Sequence, residues 1–319
     1  MFIILIIVIF MKIRLGYACI SNIINVSSSC TTTLTYYNKL DTLSKKQKID
    51  TIIRKNLDNL LELIKYNIKN NIHVFRITAK LIPLMDIVNI DLNIYKDKFF
   101  SIGKLIRDNN IRVSTHIDEY CVLNSVNKEV VLNSIKILNN LKTVMDMFNV
   151  DYNIIMHIGS KKDGVNKSIK RFKENFNLLS DEVKSKIMLE NDDKSFNVYQ
   201  TLKLCEEINV PMCLDIHHHY CNKCTKNIEH YLNRIYKTNK NNITKMHFST
   251  EKSKKEKRSH NEYINVLDFI NFIDLLRNYN KDTDIMLEAK GKDLALIKLV
   301  MELKYQKNYN FIDESSFTI

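Results

Sequence analysis

Lys186-Ile187-Met188-Leu189-Glu190-Asn191-Asp192-Asp193 passes from three apolar residues straight into four polar ones, with no amphipathic alternation. A short apolar run of this kind suits a strand covered on both faces, as in a parallel sheet flanked by helices. The change at Glu190 puts a carboxylate where that strand leaves the sheet. Five other stretches share the design: Arg112–His116, Asn153–His157, Pro211–Asp215, Thr244–His247 and Asp284–Glu288 each end on His, Asp or Glu. Lys12–Tyr17 and His73–Thr78 lack an ionisable end but bring the set to eight. Eight such strands with helical sequence between them predict an α/β fold, a single (β/α)8 TIM barrel, in which chemistry gathers at the C-terminal ends of the strands.

The intervening segments carry the expected stripes. Ile53, Leu57, Leu60, Leu61, Ile64 and Ile68 recur at helical spacing within Asp50–Asn71, and Val130, Ser134, Leu138, Leu141, Met145 and Phe148 do so between the third and fourth strands. Ile169, Phe172, Phe176 and Leu179 follow the fourth strand, and Val266–Leu276 precedes the eighth. These stripes read as packing against a barrel rather than as cofactor motifs. The polar stretch Ser21–Lys48 reads as a loop on the catalytic face. No repeat or linker breaks the series, so residues 11–319 are expected to form one domain. Residues 1–10 are almost wholly aliphatic but fall far short of the ~20 residues that span a bilayer. They read as a dispensable extension ahead of a start at Met11, with membrane attachment the second reading.

The 319 residues, 45% hydrophobic, suffice for a large core. A formal charge of +12 favours a polyanionic partner, nucleic acid first. Coding bias toward Lys and Asn accounts for part of that charge, so its placement matters more than its sum. Seven cysteines without a regular framework fit a reducing, intracellular compartment. The lone Cys221-x-x-Cys224 lacks the second pair that a structural zinc site needs, so both read as ordinary thiols.

Seven of the nine histidines, His116, His157, His217, His218, His219, His247 and His260, fall at or just past predicted strand ends, together with Glu190, Asp215 and Glu288. Gathered on one rim, those carboxylates would repel one another unless cations offset them. Mixed imidazole and carboxylate donors suit zinc, manganese or iron, and oxygen-rich sets favour manganese. The donors are enough for more than one ion, and Glu190 can bridge two, the arrangement used in phosphoryl displacement. A buried polar network without metal is the plainer alternative. Two basic runs flank the same face: Lys161, Lys162, Lys167, Lys170 and Arg171, then Lys252, Lys254, Lys255, Lys257 and Arg258. Such runs are usually solvated surface, but here they border the place where phosphates would enter. No phosphate-cradling Gly-rich loop points to a nucleotide cofactor.

The strings Arg14-Leu-Gly-Tyr17, Phe75-Arg-Ile-Thr78 with Pro83, Leu189-Glu-Asn-Asp-Asp193, Asp215-Ile-His-His218, Lys245-Met-His-Phe-Ser249, Arg258-Ser-His260 and Glu288-Ala-Lys290 resemble the UV damage endonuclease family (UvsE/UVDE), in that family's order and over roughly Met11 to Met301. The resemblance implies a TIM barrel related to endonuclease IV, with two or three divalent ions, usually manganese and with zinc as the alternative. By position, His116, His157, Glu190, Asp215, His218, His247, His260 and Glu288 would be the ligands. Glu190, Lys245 and His247 would be the catalytic residues, Lys245 lying beside the cluster. The implied reaction is ATP-independent nicking of double-stranded DNA immediately 5′ to a pyrimidine dimer or 6-4 photoproduct, leaving a 3′-hydroxyl and a 5′-phosphate. The partner is then damaged duplex DNA, acted on by a monomer with no membrane association. Tyr120 would wedge into the duplex, Tyr17 would line the lesion pocket, and Lys254, Lys255, Lys257 and Arg258 would meet phosphates.

Two positions depart from the family pattern. Ile117-Asp118-Glu119-Tyr120 stands where many members have Pro-Gly-Gln or Pro-Asn-Gln before the aromatic, placing the Glu119 charge against DNA. Gly159-Ser160 replaces a Gly-Gly pair. The nearest alternative function is an apurinic/apyrimidinic endonuclease of the same architecture. A sugar isomerase shares the barrel and the ions but has no use for the basic loops. A non-catalytic lesion-binding protein is the third possibility.

Overall fold

A computed structural model describes residues 11–240, 242–307 and 309–319. The eight stretches are eight parallel strands: β1 (Lys12–Ala18), β2 (Val74–Thr78), β3 (Arg112–His116), β4 (Tyr152–His157), β5 (Ile187–Glu190), β6 (Met212–Asp215), β7 (Thr244–Phe248) and β8 (Thr283–Leu287). They pair in chain order, and β8 closes on β1 with Ile13 opposite Thr283 and Tyr17 opposite Leu287. Eight principal helices alternate with them: α1 (Thr42–Lys69), α2 (Lys96–Asp108), α3 (Lys128–Asp146), α4 (Val165–Phe176), α5 (Val198–Ile208), α6 (Glu229–Thr238), α7 (Val266–Arg277) and α8 (Asp293–Gln306). The result is a (β/α)8 TIM barrel. The apolar stretch 1–10 lies outside the described residues. No helix among the described residues is long and apolar enough to cross a membrane.

Local chemistry explains where the elements begin. The first long helix starts at Thr42, well before the Asp50 that apolar spacing suggests, because Asp41 accepts from the Leu43 and Ser44 N–H groups as an N-cap. The region read as loop therefore also holds a small hairpin, Ile20–Ser21 with Val26–Ser27, and a short helix, Leu34–Lys39. A Cβ at residue 16 would lie 2.2 Å from the Val74 carbonyl oxygen, so only glycine lets β1 and β2 approach. Ser316–Thr318 pairs antiparallel with Lys12–Arg14, beside the start of β1, where β2 has not yet reached.

Side chains on a strand alternate between the two faces of the barrel wall. Leu15, Phe75, Leu214 and Ile285 face outward and are fully buried beneath the helices. The inward-facing residues form three tiers. Val74, Ile155, Met188, Cys213 and Met286 make an apolar middle. Below it, at the N-terminal mouth, lie Arg14, Arg112, Lys245 and Asp284. Above it, at the C-terminal mouth, lie Arg76, His116, His157, Glu190, Asp215, His247 and Glu288.

Candidate active site

The upper tier is organised around Glu190, the last residue of β5 and 1% exposed. His116 at the end of β3 places Nε2 2.7 Å from its Oε2, and His157 at the end of β4 places Nε2 3.7 Å from the same oxygen. His247 of β7 places Nδ1 2.8 Å from Oε1, and His218 reaches to 3.5 Å of it. Three strands and one short helix, Ile216–Cys221, thus converge on the carboxylate at the end of a fourth. That helix is started by Asp215, whose Oδ1 accepts from the His218 N–H at 2.7 Å. Asn191 locks the arrangement by exchanging two 2.9 Å hydrogen bonds with the Asp215 backbone.

The protonation tendencies follow from burial opposed by neighbours. Burial alone would raise the Glu190 carboxyl, but His247 and His157, with hydrogen bonds to His116 and His247, hold it well below the usual range. Burial lowers His218, yet the Asp215, Glu190 and Glu288 carboxylates outweigh this and carry it up to about 9. Burial pushes Asp215 up, aided by Glu190 and Glu288. Burial lowers His116 and His260 despite adjacent carboxylates. Against burial, the carboxylates in turn raise the His218 and His247 imidazoles, so part of the acids' charge is offset from within the tier.

The donor set suits divalent cations. His116, His157 and Glu190 offer atoms within 4.8 Å of one another, as do Glu190, Asp215 and His247, so Glu190 belongs to both groups. The buried Asp215 Oδ2 has no hydrogen-bond partner, although the cost of burying a bare carboxylate oxygen is high. Nitrogen and carboxylate oxygen in this mixture are ligands for zinc, manganese or iron.

Other expected residues are placed differently. Glu288 lies just past β8, with His260 Nδ1 3.9 Å from its Oε2, and neither joins the two tight groups. Lys245 lies a tier below the cluster. Two residues before His247 on the inner face, it occupies the lower tier, where Nζ donates to the Val113 carbonyl at 3.2 Å and faces Asp284. It lines a cavity of about 500 Å³ at the N-terminal mouth, with Arg112 and Asn153. Tyr17 does not line a lesion pocket. Out of phase with the inward Gly16 and Ala18, it points toward α1, is 0% exposed, and donates its hydroxyl to Asn67 Oδ1 at 2.8 Å. Arg258 is not a free phosphate contact, being paired with Asp193 at 2.5 Å.

Tyr120 and Glu119 are exposed beyond β3, Tyr120 at 76%. Lys254, Lys255 and Lys257 are exposed on the hairpin Glu251–Ser253/Glu256–His260, whose second strand carries His260. His217 anchors that hairpin, its ring Nε2 2.8 Å from the Lys257 carbonyl oxygen. In the other basic run, Lys161 donates to the Lys194 and Ser195 carbonyls, and Arg171 to the Asn124 and Lys162 carbonyls. Gly159 has φ +109°, whereas Ser160 is not among the positive-φ residues, so serine is accommodated there without strain. Arg76 received no role from the sequence. It lies inside the site, with Nη2 2.9 Å from His247 Nε2 and bonded to Glu288 Oε1.

Fold and site together define a TIM-barrel protein with an imidazole–carboxylate centre, suited to cations, at its C-terminal mouth. A family model described as UV-endonuclease UvdE matches residues 13–317. The chain belongs to the UV-endonuclease UvdE family, and by that membership it is a nuclease of the UV-damage class. A "UV DNA damage endonuclease" of Bacillus cereus (strain B4264) is 33% identical over 302 residues, 92% of this chain and 95% of the relative. A second B. cereus protein of that name (strain ATCC 10987 / NRS 248) is 31% identical over 315 residues, 96% of this chain and 99% of the relative. The crystal structure of SacUVDE superposes with a TM-score of 0.83 at 29% identity, covering 92% of this chain and 98% of that one. A D-tagatose 3-epimerase-like protein, at TM-score 0.55 and 15% identity, shares the fold alone, over 92% of this chain and 96% of that one.

Proposed function

We propose that the chain is a metal-dependent repair endonuclease that nicks duplex DNA immediately 5′ to UV photoproducts, pyrimidine dimers and 6-4 photoproducts alike. It leaves a 3′-hydroxyl and a 5′-phosphate and thereby initiates excision repair. The observation that carries this reading is the sharing of Glu190 between two donor groups, at the mouth of a barrel whose family is named for UV endonucleases. Bound divalent ions, manganese before zinc, would supply Lewis acidity toward phosphorus and offset the charge of the departing 3′-oxygen. His116, His157 and Glu190 would hold one, and Glu190, Asp215 and His247 the other, with His218 and His260 close by.

The remaining work falls to the chain's own groups. The Asn191 side chain fixes the Asp215 backbone and its main-chain carbonyl lies 2.9 Å from His218 Nδ1, keeping two ligand groups beside Glu190. Exposed Tyr120 is placed to fill the gap left by an extruded dinucleotide, a distorted step being cheaper to unstack. Lys254, Lys255 and Lys257, which form no ion pair among the described residues, present charge beside the same mouth, where the DNA backbone would run. The reaction needs no ATP, one chain carries the complete site, and the setting is a reducing intracellular compartment.

The test is parallel nicking of end-labelled duplexes carrying a cyclobutane dimer, a 6-4 photoproduct or an abasic site. Cleavage 5′ to the photoproducts, abolished by chelator and restored better by Mn2+ than by Mg2+, is expected. Cleavage of the abasic duplex alone would transfer the assignment to an apurinic endonuclease. Cleavage indifferent to chelator would remove the ions from it.

A further inference from the structure

Between β1 and the start of α1 the chain builds a charged surface that the reaction centre does not use. Residues 31–48 carry four lysines, Lys39, Lys45, Lys46 and Lys48, against one acid, Asp41, which is engaged as the cap of α1. None of the four forms an ion pair among the described residues, and two of them are paired with rings instead. Lys45 Nζ lies 5.5 Å from the centre of the Tyr37 ring and Lys48 Nζ 5.7 Å from that of Tyr36, both rings on the short helix Leu34–Lys39. Three residues apart, Lys45 and Lys48 share a face of α1. A carboxylate partner would hold a lysine and cancel its charge. An aromatic face holds it and leaves the charge available to a partner outside. The fold gains little from this placement: α1 has no acid in its first turn, and Lys45 closes that turn at the end where the helix dipole disfavours positive charge.

The surface belongs to the catalytic rim. Its segment leaves the C-terminal end of β1, and Asn56, fully buried on α1, pins it there. The Asn56 side chain bonds the N–H and the carbonyl of Cys30 together with the Leu81 carbonyl of the loop after β2. Thr31 lines one cavity with Ile117 and Tyr120 of the loop after β3. Round the barrel, β1 stands midway between β3, which leads to Tyr120, and β7, which leads to the lysine hairpin.

We propose that this Lys–Tyr surface is a second docking surface for the DNA duplex, binding backbone phosphates that the hairpin Glu251–Ser253/Glu256–His260 does not reach. The inference rests on the duplex-DNA reading above. Ring-held lysines suit phosphates because they keep their charge and have less side-chain freedom left to lose on binding. A phospholipid surface offers similar phosphates, but a helix seated in a membrane needs a broad apolar face. Leu34–Lys39 is 6 residues long, and the exposed aliphatic side chains of the segment are Leu34 and Leu43.

The test is binding of metal-stripped protein to a labelled undamaged duplex, followed by fluorescence anisotropy across a salt series. With Lys39, Lys45, Lys46 and Lys48 all changed to Gln, the slope of log affinity against log salt should fall by roughly 3 to 4, about 0.9 for each phosphate released. A photoproduct duplex should show the same fall, since backbone contacts carry no lesion information. An unchanged slope overturns the proposal. So does an unchanged slope joined to lost binding of phosphatidylserine vesicles, which would assign the surface to a membrane. Should the fourfold variant fold poorly, Lys39→Glu with Lys46→Glu decides the matter, because both side chains are exposed and neither is paired with a ring. A shallower slope there supports the docking surface, and an unaltered one overturns it. Nicking keeps the two readings apart. A wild type that binds duplex but cuts no photoproduct brings down the functional reading and leaves this one to the salt series. A wild type that cuts, beside variants with an unaltered slope, brings down this one alone, and a wild type that binds no duplex brings down both.

Discussion

Both mouths of this barrel are charged inside, and they resolve that charge in opposite ways. At the lower mouth one buried acid, Asp284, answers to three bases: Arg112 is hydrogen-bonded to it through two nitrogens, with Arg14 and Lys245 in its field. At the upper mouth three acids share one arginine, and the balance must come from protonated imidazoles or from bound cations. The lower tier has fixed positive charge to spare. The upper tier is short of it, and a buried centre short of positive charge is what recruits metal ions. A polar barrel interior therefore becomes a reaction centre where acids outnumber fixed cations, not simply where charges meet.

The widest separation between the two ends should come from removing one acid at each. Glu190→Gln takes away the ligand common to both donor groups and should lower nicking on the order of 10³-fold, with Mn2+ affinity falling alongside. Asp284→Asn, assayed per folded molecule, should nick normally. If both variants lost activity equally, the division between the two mouths would be void.

The second contrast is in stability. Asp284→Asn strands Arg112 without its buried partner, and breaking such a pair costs about 3–5 kcal/mol. Urea unfolding of the metal-free protein should show a midpoint reduced accordingly with an unchanged slope. A loss under 1 kcal/mol would mean that water already compensates the lower tier.

A third test uses pH on metal-stripped protein. His218 is raised to about 9 by the carboxylates around it, from an ordinary value near 6.5. A raised basic group contributes stability that is full below its unfolded pKa and disappears as pH climbs through its folded one. Metal-free protein should therefore lose up to about 3 kcal/mol between roughly pH 6.5 and 9. Mn2+ should flatten the curve by replacing protons as the counter-charge. A profile flat without metal would show that the upper tier is balanced by other means.

What was legible in the sequence follows the same geography. Glu190, Asp215, His116 and His157 stand out because each ends a strand, where an apolar run turns polar within one residue. Position alone misled at Tyr17, which also comes near a strand end. Counting in twos shows why: Gly16 and Ala18 face inward, and Tyr17 between them must face a helix. The same count along β2, from Thr78 back to Arg76 and Val74, carries Arg76 into the site, and from His247 it sets Lys245 one tier below. The lower tier was hidden because its charges stand at strand starts, where they look like ordinary solvated flanks. The early start of α1 was hidden because a cap is made by one side chain, Asp41, and leaves no apolar period.

The smallest expected effect concerns the surface around the upper mouth, where charge is a matter of access rather than of balance. The three hairpin lysines Lys254, Lys255 and Lys257 are exposed, whereas neighbouring Lys252 and Arg258 are spent on Glu256 and Asp193. Only the first three should act on DNA through counterion release, at a slope near 0.9 per phosphate neutralised. Replacing all three with Ala should reduce the slope of log affinity against log salt by roughly 2 to 3. Affinity should fall equally for damaged and undamaged duplexes, and turnover at saturating DNA should hold. Arg258→Ala should barely move the slope, because its charge is already answered. If Arg258→Ala shifted the slope as much as a lysine does, the ion pair with Asp193 would have to open on DNA. The hairpin would then be a moving part rather than a fixed rail.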